Sequence, residues 1–241
     1  MKELEPLLAR LMNFLAEKYK NQLVLKGGML LRLLDSRRET SDLDYSWIRT
    51  KKRNLFGKEL KTSLESLSGI KVVNIKSNSK GVFLEVVDQD SGLRVKLEIS
   101  VVDSFHRSPR PMTTGALSHP HALTPQVVTT MDLSEALSHK IAASLERNLI
   151  RDLYDIMILG RLTSFDEETL RDRLSRLEIR RAKPRSVDPK EAAAMLRKKI
   201  DSATPEAIRE ELSSTLDEPL EGMDLLLKAA ASKVIEKIES L

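Results

Sequence analysis

Apolar residues recur along this chain at two different spacings, and the change from one to the other divides it. Leu4, Leu7, Leu8, Leu11, Phe14 and Leu15 fall at helical intervals and predict an amphipathic opening helix over residues 3–19. A second short helix is expected to start at Met29 and run to Leu34, and a third spans Leu55 to Leu67. Between them, Asp42 to Ile48 alternates polar and apolar residues and contains Tyr45 and Trp47, so it reads as a strand. Three further β-rich runs follow at Ile70–Ile75, Val82–Val87 and Leu93–Val102. The last two are separated by Asp88-Gln89-Asp90-Ser91-Gly92, residues suited to a hairpin turn. Pro109, Pro111, Pro120 and Pro125 make residues 103–130 read as loop. From Leu133 onward the pattern turns helical, with one break from Lys183-Pro184 to Pro189. Strands cluster in the first half and helices in the second. An α+β domain over residues 1–130 and a helical domain over 131–241 are therefore expected.

Composition narrows this picture without redirecting it. At 241 residues with 41% hydrophobic content, the chain can bury a sizeable core and is not of disordered type. It has no cysteine, which excludes disulfides, thiolate metal sites and a thiol nucleophile. No apolar run approaches the ~20 residues that cross a bilayer, and no secretory segment opens the chain, so a cytoplasmic protein without membrane contact is expected. The net charge is only +4, but eleven Lys/Arg face four Asp/Glu between Arg171 and Lys199. That run is either a solvated face or a surface for a polyanion. With three Tyr, five Phe and one Trp, stacking platforms for bases are scarce. Contact with nucleic acid would be through phosphates and shape.

The candidate chemistry begins at Leu25-Lys26-Gly27-Gly28 and continues at Ser41-Asp42-Leu43-Asp44-Tyr45. In a strand, residues i and i+2 share a face, so Asp42 and Asp44 would project together and repel unless a cation lies between them. The glycine pair lets backbone N–H groups approach phosphate oxygens at a helix start. A third oxygen ligand is needed, and Glu98 in Val95-Lys96-Leu97-Glu98-Ile99 is the candidate. Each piece has a plainer reading. Gly-Gly is commonly a turn, Ser41-Asp42 can be a cap, and Glu98 alone can be a solvated strand residue. A second acid inside a β-favouring run is poorly suited to capping, and the three together favour a metal site.

A second constellation is helical. Lys140, Ser144, Arg147, Arg151 and Asp155 recur every three or four residues, which on one continuous helix places them on a single stripe. An ordinary solvated face with ion pairs at i,i+4 gives the same spacing. Arg151-Asp152-Leu153-Tyr154-Asp155 is denser in charge than solvation requires. There Lys140 or Arg147 can offset phosphate charge, and His139 is a weaker candidate for a general base.

The order Leu-Lys-Gly-Gly, Arg-x-x-x-Ser-Asp-Leu-Asp-Tyr, Lys-Leu-Glu-Ile, then Lys and Arg-Asp-Leu-Tyr-Asp-Ile resembles the AbiEii/AbiGii toxin family of nucleotidyltransferases. The match covers roughly residues 22 to 160 and is strongest over Arg38–Tyr45 and Arg151–Ile156. The resemblance implies a minimal nucleotidyltransferase fold related to DNA polymerase β, a mixed sheet with flanking helices, followed by a helical C-terminal domain. It implies that Asp42 and Asp44 bind metal and that Lys140 and Asp155 match the lysine and aspartate of later motifs, while Glu98 is placed less firmly. Lys26, Gly27, Gly28, Ser41, Arg147 and Arg151 are then the nucleotide-binding candidates. The implied cofactor is Mg²⁺, as two ions, with a nucleoside triphosphate as substrate. The implied partners are an RNA acceptor (the 3′ end of a transfer RNA) and a cognate antitoxin. Two departures stand out. Met29 follows the glycine pair where relatives often carry Ser or Thr, which is expected to narrow the nucleotide pocket or remove one phosphate contact, and His139 replaces an acid before the lysine. Other outcomes of the same sequence are a catalytically silent binding protein on this fold and transfer to a protein hydroxyl. A kinase-like enzyme is disfavoured because no P-loop or kinase motif set is present.

Overall fold

In the computed structural model, all residues are described except 1, 35–36, 180–182, 214–215 and 217–220. The described structure divides into two compact units, Met1–Met131 and Asp132–Leu241. No helix among the described residues is long and apolar enough to cross a membrane.

The first unit is built on one mixed sheet. Its strands are β1 (Leu23–Lys26), β2 (Asp42–Ile48), β3 (Ile70–Ser77), β4 (Gly81–Asp88), β5 (Arg94–Val102), β6 (Arg110–Thr113) and β7 (Val127–Thr130), in the order β3-β4-β5-β2-β1-β7-β6. β2 runs parallel to β5 and antiparallel to β1, so the central strands are joined through long crossovers as well as hairpins. Strict alternation gives the sheet two unlike faces. Leu43, Tyr45 and Trp47 on β2, with Leu97 and Ile99 on β5, are almost wholly buried and belong to the core. On the same face lie helix α1 (Glu5–Tyr19) and helix α3 (Arg53–Glu65), whose Tyr19 and Phe56 contribute to that core. Trp47 stacks on Phe56 with ring centroids 4.0 Å apart, and Tyr19 meets Phe56 edge-on. The opposite parity carries Asp42, Asp44, Lys96 and Glu98.

Two expectations need correction. Residues 103–130 are not simply loop, because they hold β6, the short helix α4 (Gly115–Ser118) and β7. Pro111 is tolerated because β6 is an edge strand and its missing N–H costs no ladder bond. Second, Met29 does not narrow a nucleotide pocket. It sits in α2 (Gly27–Leu33) with its side chain packed in the core.

The second unit is helical: α5 (Leu133–Glu146), α6 (Arg151–Leu162), α7 (Glu167–Leu174), α8 (Pro189–Asp201), α9 (Pro205–Ser213) and α10 (Met223–Glu239). Asp132, Asp166 and Asp188 cap α5, α7 and α8, each accepting a backbone N–H of the first turn. The single continuous helix expected through Lys140–Asp155 is overturned. α5 ends at Glu146 and α6 starts at Arg151, leaving Arg147 extended at φ −137°, ψ 154°.

Candidate active site

Strand register, rather than proximity in sequence, assembles the acidic group. In the parallel β2–β5 pair, Asp44 lies opposite Glu98 and Asp42 opposite Lys96. Paired residues of neighbouring strands point to one face, so Asp42, Asp44 and Glu98 share the polar side of the sheet. On the other flank of β2, the antiparallel pairing puts Lys26 opposite Asp44. Its Nζ donates to Ser100 Oγ at 2.9 Å, which holds the cation along the same face.

The electrostatics agree with this grouping. The Glu98 carboxyl is held above the usual carboxylate range, first by partial desolvation and then by the neighbouring charges of Asp44 and Asp42, while Lys96 and Lys26 act the other way. A carboxyl raised by two neighbouring carboxylates is one that a cation would relieve. Among the described residues, no three acidic or histidine side chains stand close enough together to hold a metal ion without adjusting. The donor types and the shared face fit a hard divalent cation, and rotation of these half-buried and exposed side chains is what would complete its shell.

The glycine pair is explained by what it touches. Gly27 has φ +71°, and a Cβ there would stand 2.2 Å from Asp44 Oδ2. A Cβ on Gly28 would stand 2.7 Å from both Arg38 Nη1 and Thr40 Oγ1. The two glycines thus bring the start of α2 directly against the acidic strand and its preceding loop. Arg38 is buried, and Thr40 is half-buried beside Gly28. Thr40 had no sequence signal marking it, since its role comes from contact with a missing side chain. Ser41 lies exposed in the bend that leads into β2.

The remaining candidates gather in the second unit. Lys140 on α5 donates to Asp155 Oδ2 on α6 at 2.5 Å, and Asp155 is fully buried. Arg147 forks onto Asp152, Nε to Oδ2 at 2.8 Å and Nη2 to Oδ1 at 2.7 Å. Arg151 opens α6, and its backbone N–H donates to Glu211 Oε1 at 3.0 Å. Lys199 of α8 donates to the carbonyls of Ser144 and Arg147 at 2.9 and 3.0 Å, satisfying the end of α5. Burial pulls its ammonium down to about 8, although Asp152 and Glu211 act the other way. Lys199 and Glu211 lie far along the chain from the Arg151–Asp155 signature, and only the tertiary structure shows that they brace it. His139 stands half-exposed on α5, its Nε2 3.7 Å from Glu135 Oε1 one turn earlier.

Asp152 gives this cluster a pH signature. Burial alone would push its carboxyl up, but the Arg147 hydrogen bonds and charge, with Lys140 and Lys199 adding to them, hold it below the ordinary value. A depressed folded value means stability that is present above the unfolded value of 3.8 and lost as pH falls through the folded one. Below pH 4 the melting midpoint of the wild type should therefore drop more steeply than that of Asp152→Asn. Parallel midpoint curves between pH 5 and pH 2 would refute the assignment.

A family model described as the nucleotidyl transferase AbiEii toxin of type IV toxin–antitoxin systems matches residues 10–233. The chain belongs to the AbiEii family. Solved structures share its fold. JHP933 from Helicobacter pylori aligns at 20% identity over 99% of this chain and 93% of that one, with a TM-score of 0.56. MenT4, a nucleotidyltransferase toxin from Mycobacterium tuberculosis, aligns at 16% identity over 99% and 83%, with a TM-score of 0.58. At such identities the likeness is one of fold. No curated protein matches the chain. As an AbiEii member it is a nucleotidyltransferase toxin of the α+β class.

Proposed function

We propose that this AbiEii member transfers a nucleoside monophosphate from a nucleoside triphosphate to the 3′-terminal hydroxyl of a transfer RNA, releasing pyrophosphate. The observation that carries this reading is the register placing Asp44 beside Glu98, with Asp42 on the same face and Gly27 packed on the Asp44 carboxylate. In the reaction the acceptor oxygen forms a bond to the α-phosphorus while the bond to the β-phosphate oxygen breaks, in line. Asp42, Asp44 and Glu98 would hold Mg²⁺, as two ions in this reading, which supplies charge neutralisation on the triphosphate and a more acidic acceptor hydroxyl. Gly27 and Gly28 offer close backbone approach to the triphosphate, and Lys26 supplies positive charge on that face. Glu98, set beside Asp44 by the strand register, would complete that ligand set and help deprotonate the acceptor hydroxyl. No step is assigned to Lys140, Asp155 or Arg147, whose charges are engaged with one another or with Asp152, nor to Arg151, whose backbone N–H is held by Glu211. A cognate antitoxin and a cytoplasmic site of action complete the proposal.

The test is incubation of the purified chain with each of four α-labelled triphosphates, Mg²⁺, and either total transfer RNA or total protein. Label in the RNA fraction, lost on removal of the 3′-terminal nucleotide, is the expected result. Label only in protein would move the acceptor to a protein hydroxyl. Label in neither would leave a binding protein on this fold.

A further inference from the structure

A basic cavity in the first unit lies apart from the acidic face. It has a volume of about 430 Å³ and is lined by Arg49, Lys52, Arg53 and Asn54 on one side and residues 77–79 on the other. Three of its lining side chains are cationic, the rest are polar, and none is acidic or apolar. Its walls are built. Arg49 continues the β2 ladder, donating its N–H to the Val102 carbonyl at 3.2 Å. Arg53 Nη1 donates to the Ser79 carbonyl at 2.8 Å, and Asn78 Oδ1 accepts from the N–H groups of Lys80 and Gly81.

Two features of charge point to an anion here. The cations crowd the N-terminus of α3, whose first turn carries no acidic residue and whose cap, Lys52, makes no side-chain capping bond. Positive side chains beside the positive end of a helix dipole are unfavourable, and an anion between them relieves both. Among the described residues, Lys52 and Arg53 form no ion pair with a carboxylate, and the partner of Arg49, Asp103, is itself 87% exposed at 3.4 Å. The described arginines of the basic run after Arg171 are engaged, Arg171 by the Leu241 carbonyl. Arg173 pairs with Glu146, Arg176 with Asp172, Arg185 with Glu191 and Arg197 with Glu239, while Lys199 is engaged by carbonyls. Arg180 and Arg181 of that run lie outside the described residues.

We infer that this cavity, built by Arg49, Lys52 and Arg53 at the end of β2, seats the phosphodiester backbone of the RNA acceptor several nucleotides from its reacting end. The inference rests on the proposed transfer to RNA. From Asp44 to Arg49 is five extended steps, about 16 Å. That is too far for a triphosphate held at the acids, but it is about five steps of a stacked strand at ~3.4 Å each. Without aromatic residues in its lining, the cavity would read phosphate and not bases.

The experiment measures anisotropy of a labelled RNA hairpin with a single-stranded 3′ extension, titrated with the full chain over a salt series. Arg49→Ala with Lys52→Ala should weaken binding on the order of tenfold and flatten the log–log salt slope by about 1.4, the value for two phosphate contacts on a single strand. Arg176→Ala with Arg197→Ala should change neither by more than about twofold, because those side chains are already paired. Lys52→Arg should bind like wild type, and melting midpoints confirm that each variant is folded. An unchanged slope in the Arg49/Lys52 variant would overturn the inference, as would a chain that labels RNA yet loses no affinity with these residues. Salt-sensitive binding through Arg49 and Lys52 without any transfer would overturn the proposed reaction, and with it the acceptor role, while leaving the cavity a site for RNA phosphates.

Discussion

Replacing Asp42 and Asp44 together by asparagine will abolish nucleotidyl transfer and leave the chain folded. Asparagine keeps the size of each side chain but removes the charge that would bind a divalent cation, and these side chains lie on the polar face of β2, not in the core. Loss of a charge-stabilising group at a phosphoryl site commonly costs two or more powers of ten, so the double variant should fall by roughly 10³ or more. The wild type should melt at a higher temperature with Mg²⁺ than without, because a ligand bound only by the folded state stabilises it. The double variant should lose that increment while melting like the metal-free wild type. Measured transfer within tenfold of wild type, or an intact Mg²⁺ increment, would remove the acids from the chemistry.

The largest effect on stability is expected at the Lys140–Asp155 pair. Asp155 is fully buried and Lys140 nearly so. Lys140→Met leaves the Asp155 carboxylate buried without that counter-charge, a change that typically costs about 3–5 kcal/mol. For a chain of this size the melting midpoint should fall on the order of 10 °C. Lys140→Met with Asp155→Asn removes both charges and should recover much of the loss, because the penalty belongs to the isolated charge and not to the missing pair. A single variant that melts within about 2 °C of wild type would show that the pair is not desolvated. A double variant as unstable as the single one would show that the cluster depends on the ion pair itself.

Much of this architecture is written in local pattern, and the exceptions have a common cause. β2 is legible to the residue, because Asp42, Asp44 and Ser46 alternate with Leu43, Tyr45 and Trp47, and only a half-buried strand uses that period. The hairpin between β4 and β5 is legible through Asp88–Gly92. β7 is not. It pairs in parallel with β1 through Thr130 opposite Leu25, and no four-residue window predicts a partner so distant in the chain. The break between α5 and α6 is equally hidden, since residues 147–150 contain neither glycine nor proline. What ends α5 there is tertiary: Lys199 takes its last carbonyls, and Arg147 turns to grip Asp152. Residue types marked the acids as candidates, but the register that sets Glu98 beside Asp44 is a property of the folded sheet.

The one tryptophan of the chain gives β2 a second use. Trp47 lies three residues from Asp44 on the reverse side of the same strand, sealed from water and stacked on Phe56. Its ultraviolet emission will shift to longer wavelength when that strand comes apart, whereas far-ultraviolet dichroism follows helices throughout the chain. Comparing the two optical signals in one melting run will tell whether damage at Lys140 is felt by the strand that carries the acids.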